Sequence, residues 1–431
     1  MIMDNLHVKK LSLINFKGLK EISFDFDKRI NVIIGINGSG KSSILFGLAM
    51  ALSRFIGRMR SLKSNGILFD KNYIKNGKNA SEISVKMTYN ASEISWFVGK
   101  QRYQIKQTIS NLEAINQAVI RVNQELQKNS QYSIPVVVFY GVGRNVLDTP
   151  LRIRTKHEFS QLAAYDEALL KERSTNDFRL FFEWYRERED LENEMLREEN
   201  NYIDPQLNAV RSAIYSILPE FTNLRVKRNP LRMVLDKVNG SSKETLDINQ
   251  LSDGEKCTLS MVGDLARRLS IANPSLENPL YGNGIVLIDE IDLHLHPQWE
   301  ATIVEKLEKT FPKCQFIVTT HSPLVLSRLE PENIFVLNQN SENGVYWKHP
   351  VFAKGLSVND ILSGLMNEVE NRDSKTAVLL KEIEQAVDDE NTDYAKEKLQ
   401  ILSEHLNGKI LPEMTGLKAA IDMIESEELH K

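Results

Sequence analysis

The alternation of apolar and polar residues begins at once. LHVKKLSLINF at 6–16 alternates, ISFDF at 22–26 does so again, and INVIIG at 30–35 is a short run, apolar but for Asn31. Alternation predicts strands with one wet face, and the run predicts a strand covered on both faces. Glycines end the run, after which Ile44, Leu45, Leu48, Leu52 and Phe55 recur at helical spacing from Ser42 on. The order is therefore strand, glycine loop, helix. Between 82 and 107 the alternation returns (ISVKMTYN, ISWFVGKQRYQI), predicting antiparallel strands, and PVVVFY at 135–140 reads as a second buried strand.

Residues 158–217 read as mostly helical and highly charged, with FFEWYREREDLENEMLREEN at their centre. Even as one helix, sixty residues would reach only about 90 Å. Pro205 and Pro219 interrupt them, so a compact helical insertion is expected. A polar β-like segment follows at 221–249. The spacing then predicts a helix over 253–271, a strand over 284–289, a helix over 297–310 and a strand over 315–320, which is α/β alternation. From 355 to 431 apolar residues recur at three-and-four spacing with no strand signal, a C-terminal helical appendix. The expected division is 1–157 and 221–354 as two lobes of one α/β core, 158–220 as the insertion, and 355–431 as the appendix.

Composition narrows the class without fixing a function. The chain has 431 residues, 42% apolar and 26% charged, with a net charge of −4, and no run approaches the length of a membrane span. No membrane partner is expected. Met1 to Lys10 holds no apolar secretory segment, which points to the cytoplasm. The two cysteines, Cys257 and Cys314, form no C-x-x-C pair, so no disulfide framework or cysteine-built zinc site is suggested.

Candidate chemistry starts at Gly35-Ile36-Asn37-Gly38-Ser39-Gly40-Lys41-Ser42, which fits G-x-x-x-x-G-K-[ST]. Glycines at this spacing let backbone N–H groups turn in around a phosphate, and the helix that follows points its positive end at the same anion. Lys41 supplies a cation for the β- and γ-phosphates of ATP, Ser42 a hydroxyl for Mg²⁺, and Asn37, Gly38, Ser39, Gly40 and Ser43 complete the cradle. The apolar strand Ile285–Ile288 ends in Asp289 and Glu290. Alone, such a pair reads as a solvated strand end. Beside a phosphate loop, Asp289 holds the Mg²⁺ and Glu290 polarises the attacking water. The third motif is Leu251-Ser252-Asp253-Gly254-Glu255-Lys256. Its plain reading is a capping box, Ser252 with Glu255 three residues on; its functional reading has the Ser252 hydroxyl and the helix N-terminus facing a γ-phosphate.

The order phosphate loop, LSDGE, VLIDE and then His321 after QFIVTT resembles the ABC-type ATPase heads of SMC, RecF and related proteins, whose signature is written LSGGQ or LSGGE. Asp253 stands where that signature has a glycine. The resemblance implies a head with a mixed β-sheet, a RecA-like core and an antiparallel β subdomain. It also implies that Ser252 and Gly254 contact ATP held by another protomer, that Asp292 lies in the D-loop against the partner, and that His321 is a switch histidine at the γ-phosphate. The catalytic set is then Lys41, Glu290 and His321. His294 and His296 form an H-x-H pair open to a metal-ligand reading, although no third ligand is evident. The Mg²⁺-sensing glutamine is open among Gln101, Gln104, Gln107 and Gln161, and Arg144 is a further nucleotide-side candidate. Basic runs at Arg54–Lys63, Arg152–Lys156 and Arg225–Arg232 read either as phosphate contacts for DNA or as a solvated charged face.

More than two hundred residues separate the phosphate loop from the signature, which argues against a transporter subunit. AYDEALL, DFRLFFEWYREREDLENE, LSDGEKCTLSMVGDLARRLSIANP and GLSVNDILSG resemble stretches of the stand-alone ATPases of Septu-type antiphage defence operons, which also occur as retron effectors. That resemblance implies a homodimer or higher homo-oligomer that regulates a separately encoded HNH-type nuclease, with DNA, or retron RNA and DNA with a reverse transcriptase, as further partners. No nuclease residue set follows the ATPase motifs in this chain. The alternative reading is a RecF- or SMC-like DNA repair ATPase acting as an ATP-gated DNA clamp.

Overall fold

The computed structural model describes residues 6–103, 108–143, 160–169, 178–240, 242–340, 344–358, 360–361, 374–406 and 412–428. Contacts divide the chain into two compact units, Met1–Ile361 and Leu362–Lys431.

In chain order the first unit contains β1 (His7–Ile14), β2 (Glu21–Asp25), β3 (Ile30–Ile34), α1 (Lys41–Arg60), β4 (Ala80–Tyr89), β5 (Ser92–Gln101), β6 (Thr108–Asn111), α2 (Glu113–Lys128), β7 (Val136–Tyr140), α3 (Phe178–Met195), α4 (Pro205–Ile217), β8 (Phe221–Arg228), β9 (Leu231–Asn239), β10 (Ser242–Asp247), α5 (Asp253–Ala272), β11 (Gly284–Ile288), β12 (Cys314–Thr319), β13 (Ile334–Asn340) and β14 (Gly344–Lys348). The six-stranded sheet runs β14-β13-β3-β12-β11-β7, parallel except for β14. Strands β3, β7, β11 and β12 are buried along their whole length, which is why they read as apolar runs and not as alternations. A five-stranded antiparallel sheet, β2-β1-β4-β5-β6, and a three-stranded one, β10-β9-β8, complete the unit. This is the mixed α/β architecture of an ABC-type ATPase head.

One buried amide fastens the first two sheets together. Gln315 in β12 is fully buried, and its Oε1 accepts from Val8 N at 2.8 Å while its Nε2 donates to Val8 O at 2.9 Å. The register of β1 against β4 shifts between Val8 and Lys10, so Gln315 satisfies Val8 beside that irregularity.

Some elements follow the pattern reading and others depart from it. The charged stretch before β8 holds α3 and α4, and Pro205 begins α4 at a cap where Asp204 accepts from Gln206 N at 3.0 Å and Leu207 N at 2.9 Å. The helix expected over 297–310 is two pieces, Pro297–Glu300 and Ile303–Thr310. Thr302 between them has φ −121°, and its hydroxyl donates back to Gln298 O at 3.3 Å, a local bond that competes with the helix ladder. Helix α2 and strands β13 and β14 were not legible as elements. In the second unit, helices Ser374–Asp388, Thr392–His405 and Pro412–Glu428 bury a core of their own, including Leu380, Ile383, Leu402, Met414 and Ile421. Among the described residues no helix is long and apolar enough to cross a membrane.

Candidate functional site

The glycine loop joins buried β3 to α1. Gly38 has φ +79° and Gly40, the N-cap of α1, has φ +99°, conformations an L side chain rarely adopts. No side chain caps α1, so the first N–H groups of a twenty-residue helix face outward without a side-chain acceptor. The Ser39 hydroxyl is buried with no hydrogen-bond partner. Asn37, Gly38 and Ser42 are exposed and Ser43 half-buried, so the loop presents both backbone donors and hydroxyls. Unused donors at a helix N-terminus fit an anion such as a nucleoside triphosphate.

Lys41 is buried, and its Nζ donates to Gly35 O at 2.7 Å and Ile36 O at 3.1 Å. Burial pushes its ammonium pKa down, against the pull of Asp289, Glu290 and Asp292, whose charges all reach it. These three carboxylates stand at and beyond the end of β11. Asp289 is 4% exposed, its N–H donates to Tyr140 O at 2.8 Å, and Thr319 Oγ1 donates to its Oδ1 at 2.6 Å. The same threonine oxygen accepts from Glu290 N at 2.7 Å, and Glu290 sits at φ +49°, a position costly for a residue other than glycine. Asp292 accepts from Thr320 Oγ1 at 2.6 Å and from His321 N at 3.3 Å. Asp289, Glu290, Asp292 and His321 thus lie together around the end of β12. Thr319 and Thr320 organise all four. The sequence reading passed over them, although paired threonines just before His321 were a visible signal.

At the third motif the capping box is fully formed. Ser252 Oγ accepts from Glu255 N at 3.3 Å, and Glu255 Oε2 accepts from Ser252 N at 2.7 Å. Ser252 and Asp253 are exposed, while Gly254 is buried. A Cβ on Gly254 would lie 2.2 Å from His294 O, so this glycine lets the signature pack against residues 292–296 of its own chain. His294 holds that position at φ +63°, and His296 Nδ1 accepts from Gln298 N at 3.4 Å to cap the following turn. Among the described residues no three His, Cys, Asp or Glu side chains cluster around either histidine, and both have structural work.

Other candidates fall elsewhere. Gln161 donates to Tyr132 O and Ala272 O, each at 2.7 Å, clamping the C-terminal end of α5. Gln101 ends β5 opposite Ala80. Gln104, Gln107, Arg144 and the run Arg152–Lys156 lie outside the described residues. The two described basic runs are largely used internally. Arg54 and Arg58 are buried in α1, Arg60 pairs with Asp166, Arg225 with Asp236, and Arg228 with Glu189 and Asp190.

A phosphate loop, an acidic strand end and a signature helix on one mixed sheet define the class. The chain belongs to the RecF/RecN/SMC N terminal domain family, whose model matches residues 7–343. Its relatives include retron ATPases and Septu proteins. It is 31% identical to the Retron Ec83 probable ATPase of Escherichia coli, over 95% of this chain and 84% of that one. It is 33% identical to the Retron Vc95 probable ATPase of Vibrio cholerae, over 78% and 74%. The Septu protein PtuA of Bacillus thuringiensis is 22% identical over 90% of each chain. Among solved structures, the SMC head bound to the C-winged helix domain of ScpA matches with a TM-score of 0.48 at 16% identity, covering 80% of this chain and 98% of that one.

Proposed function

We propose that this chain is the ATP-binding and ATP-hydrolysing subunit of an antiphage defence assembly, closing as a dimer around ATP and controlling a separately encoded HNH-type nuclease. The observation that carries the ATPase reading is Lys41, at the base of an uncapped helix N-terminus, within electrostatic reach of Asp289, Glu290 and Asp292. In this reading the loop from Asn37 to Ser43 and Lys41 hold the triphosphate, and Ser42 and Asp289 hold Mg²⁺. Glu290 orients and deprotonates the attacking water, and His321 stabilises charge on the γ-phosphate. Ser252, on the exposed face of the signature, acts on the partner protomer's nucleotide, and Asp292 lies in the loop against the partner. Bound Mg²⁺ would supply positive charge to offset the phosphates.

The defence role is supported by relatives named as retron ATPases and Septu proteins. The helices after residue 374 are the proposed nuclease-docking element, because they have a core separate from the nucleotide machinery. A free-standing DNA clamp is the weaker reading, since Arg54, Arg58, Arg60, Arg225 and Arg228 of the described basic runs are buried or paired with carboxylates. The test is solution mass with and without Mg-ATP, for wild type and Glu290→Gln co-expressed with the neighbouring nuclease gene. Mg-ATP should drive a dimer or larger particle that retains the nuclease, and Glu290→Gln should hold it longer while turnover falls by about a thousandfold. A monomer with and without ATP, and no nuclease retained, sinks the proposal.

A further inference from the structure

The signature of this chain is negatively charged. Asp253 opens α5 and Glu255 follows two residues later, so two carboxylates occupy its first turn. Such carboxylates complement a helix N-terminus, but they oppose a γ-phosphate approaching the same turn. The exposed Asp253 has only a 3.6 Å contact with Lys256, an ion pair screened by water.

Glu255 is treated differently. Lys237, near the C-terminal end of β9, places Nζ 2.7 Å from Glu255 Oε1, while the other carboxylate oxygen accepts from Ser252 N at 2.7 Å and Ser252 Oγ at 2.9 Å. Lys237 is itself held. It pairs across the sheet with Phe221 and Glu244, and its ammonium lies 5.2 Å from the Phe221 ring centroid. The contact joins the small three-stranded sheet to the hydroxyl assigned to the partner's nucleotide.

We propose that Lys237 is a positioning residue for ATP binding and hydrolysis: it offsets the charge of Glu255 in the first turn of α5, so that this turn accepts a partner's γ-phosphate despite Asp253. The inference rests on the ATPase reading above. Burial alone would raise the Glu255 pKa, but Lys237 and Ser252 outweigh it and hold the carboxyl below its usual value, as a neutralised carboxylate requires.

The experiment is a double-mutant cycle on the full chain, reading kcat, KM for Mg-ATP and Tm. Lys237→Ala should raise KM and lower kcat/KM by about tenfold with little change in Tm. Lys237→Arg, which keeps the charge, should recover most of that loss. Glutamine preserves the capping box without the charge, so Lys237→Ala made on top of Glu255→Gln should cost less than twofold. The same tenfold loss in both backgrounds, or no loss in either, overturns the proposal. A wild type without turnover would defeat the ATPase reading on its own. The cycle would then be read on the ATP concentration that half-saturates dimer formation, and a wild type that also fails to dimerise overturns both.

Discussion

Asp264 shows how much charge a residue in this core can carry when it is matched. Its carboxylate accepts from Arg267 Nη2 at 2.7 Å, Arg268 Nε at 2.6 Å and Tyr140 Oη at 3.0 Å, all inside the molecule. Burial pushes its pKa up, but Arg268 and then Arg267 outweigh it and hold it at about 2. A carboxyl with a lowered folded pKa gives its full stability above the unfolded value, near 4, and loses it as pH falls towards 2. Unfolding measured between pH 5 and pH 2 should therefore show a loss of roughly 2 kcal/mol traceable to this residue. Asp264→Asn should be less stable than wild type at pH 7, with the difference shrinking as pH falls. A constant difference would put the stabilisation elsewhere. Gln315 makes the companion point. Within CQFIVT it reads as an imperfection in an apolar run, and its use, satisfying Val8 some three hundred positions earlier, cannot be inferred from local pattern.

Most of the core strands and α1, unlike such partners, were readable from burial that is one-sided or total, although α2, with its buried face of Ile115, Val119 and Val122, was missed. The alternating β1, the apolar runs of β3 and β11, and the apolar stripe of α1 each carry a period that burial imposes, and the phosphate loop lies where strand passes to helix. The 297–310 helix failed because Thr302 supports competing local bonds as well as a helix, and periodicity does not weigh the two. The acidic end of β11 was legible as chemistry, but the threonines that aim it come from β12, adjacent only after folding. The signature offers a test at this scale. Because a Cβ on Gly254 would meet His294 O at 2.2 Å, Gly254→Ala must displace residues around 294 within one protomer. It should cost about 1–3 kcal/mol in the nucleotide-free chain, seen as a lowered Tm. If glycine were needed only for the partner's nucleotide, the free chain would melt unchanged.

For the whole molecule, the separation into Met1–Ile361 and Leu362–Lys431 sets the expectation. Every residue placed at the nucleotide lies in the first unit, and the second has a helical core of its own. A chain ending at Ile361 should bind Mg-ATP within about twofold of the full chain and still change mass with it, but should no longer retain the nuclease in co-purification. Loss of ATP binding on truncation would show that the two units depend on each other. The contact between Gly254 and His294 has a longer consequence. It ties the first turn of α5 to the loop flanking the chain's own acidic residues, so neither can be retuned alone. Lineages that alter the triggering threshold of such a machine would have to change both segments together, leaving correlated substitutions at 252–256 and 292–296 as the inherited trace.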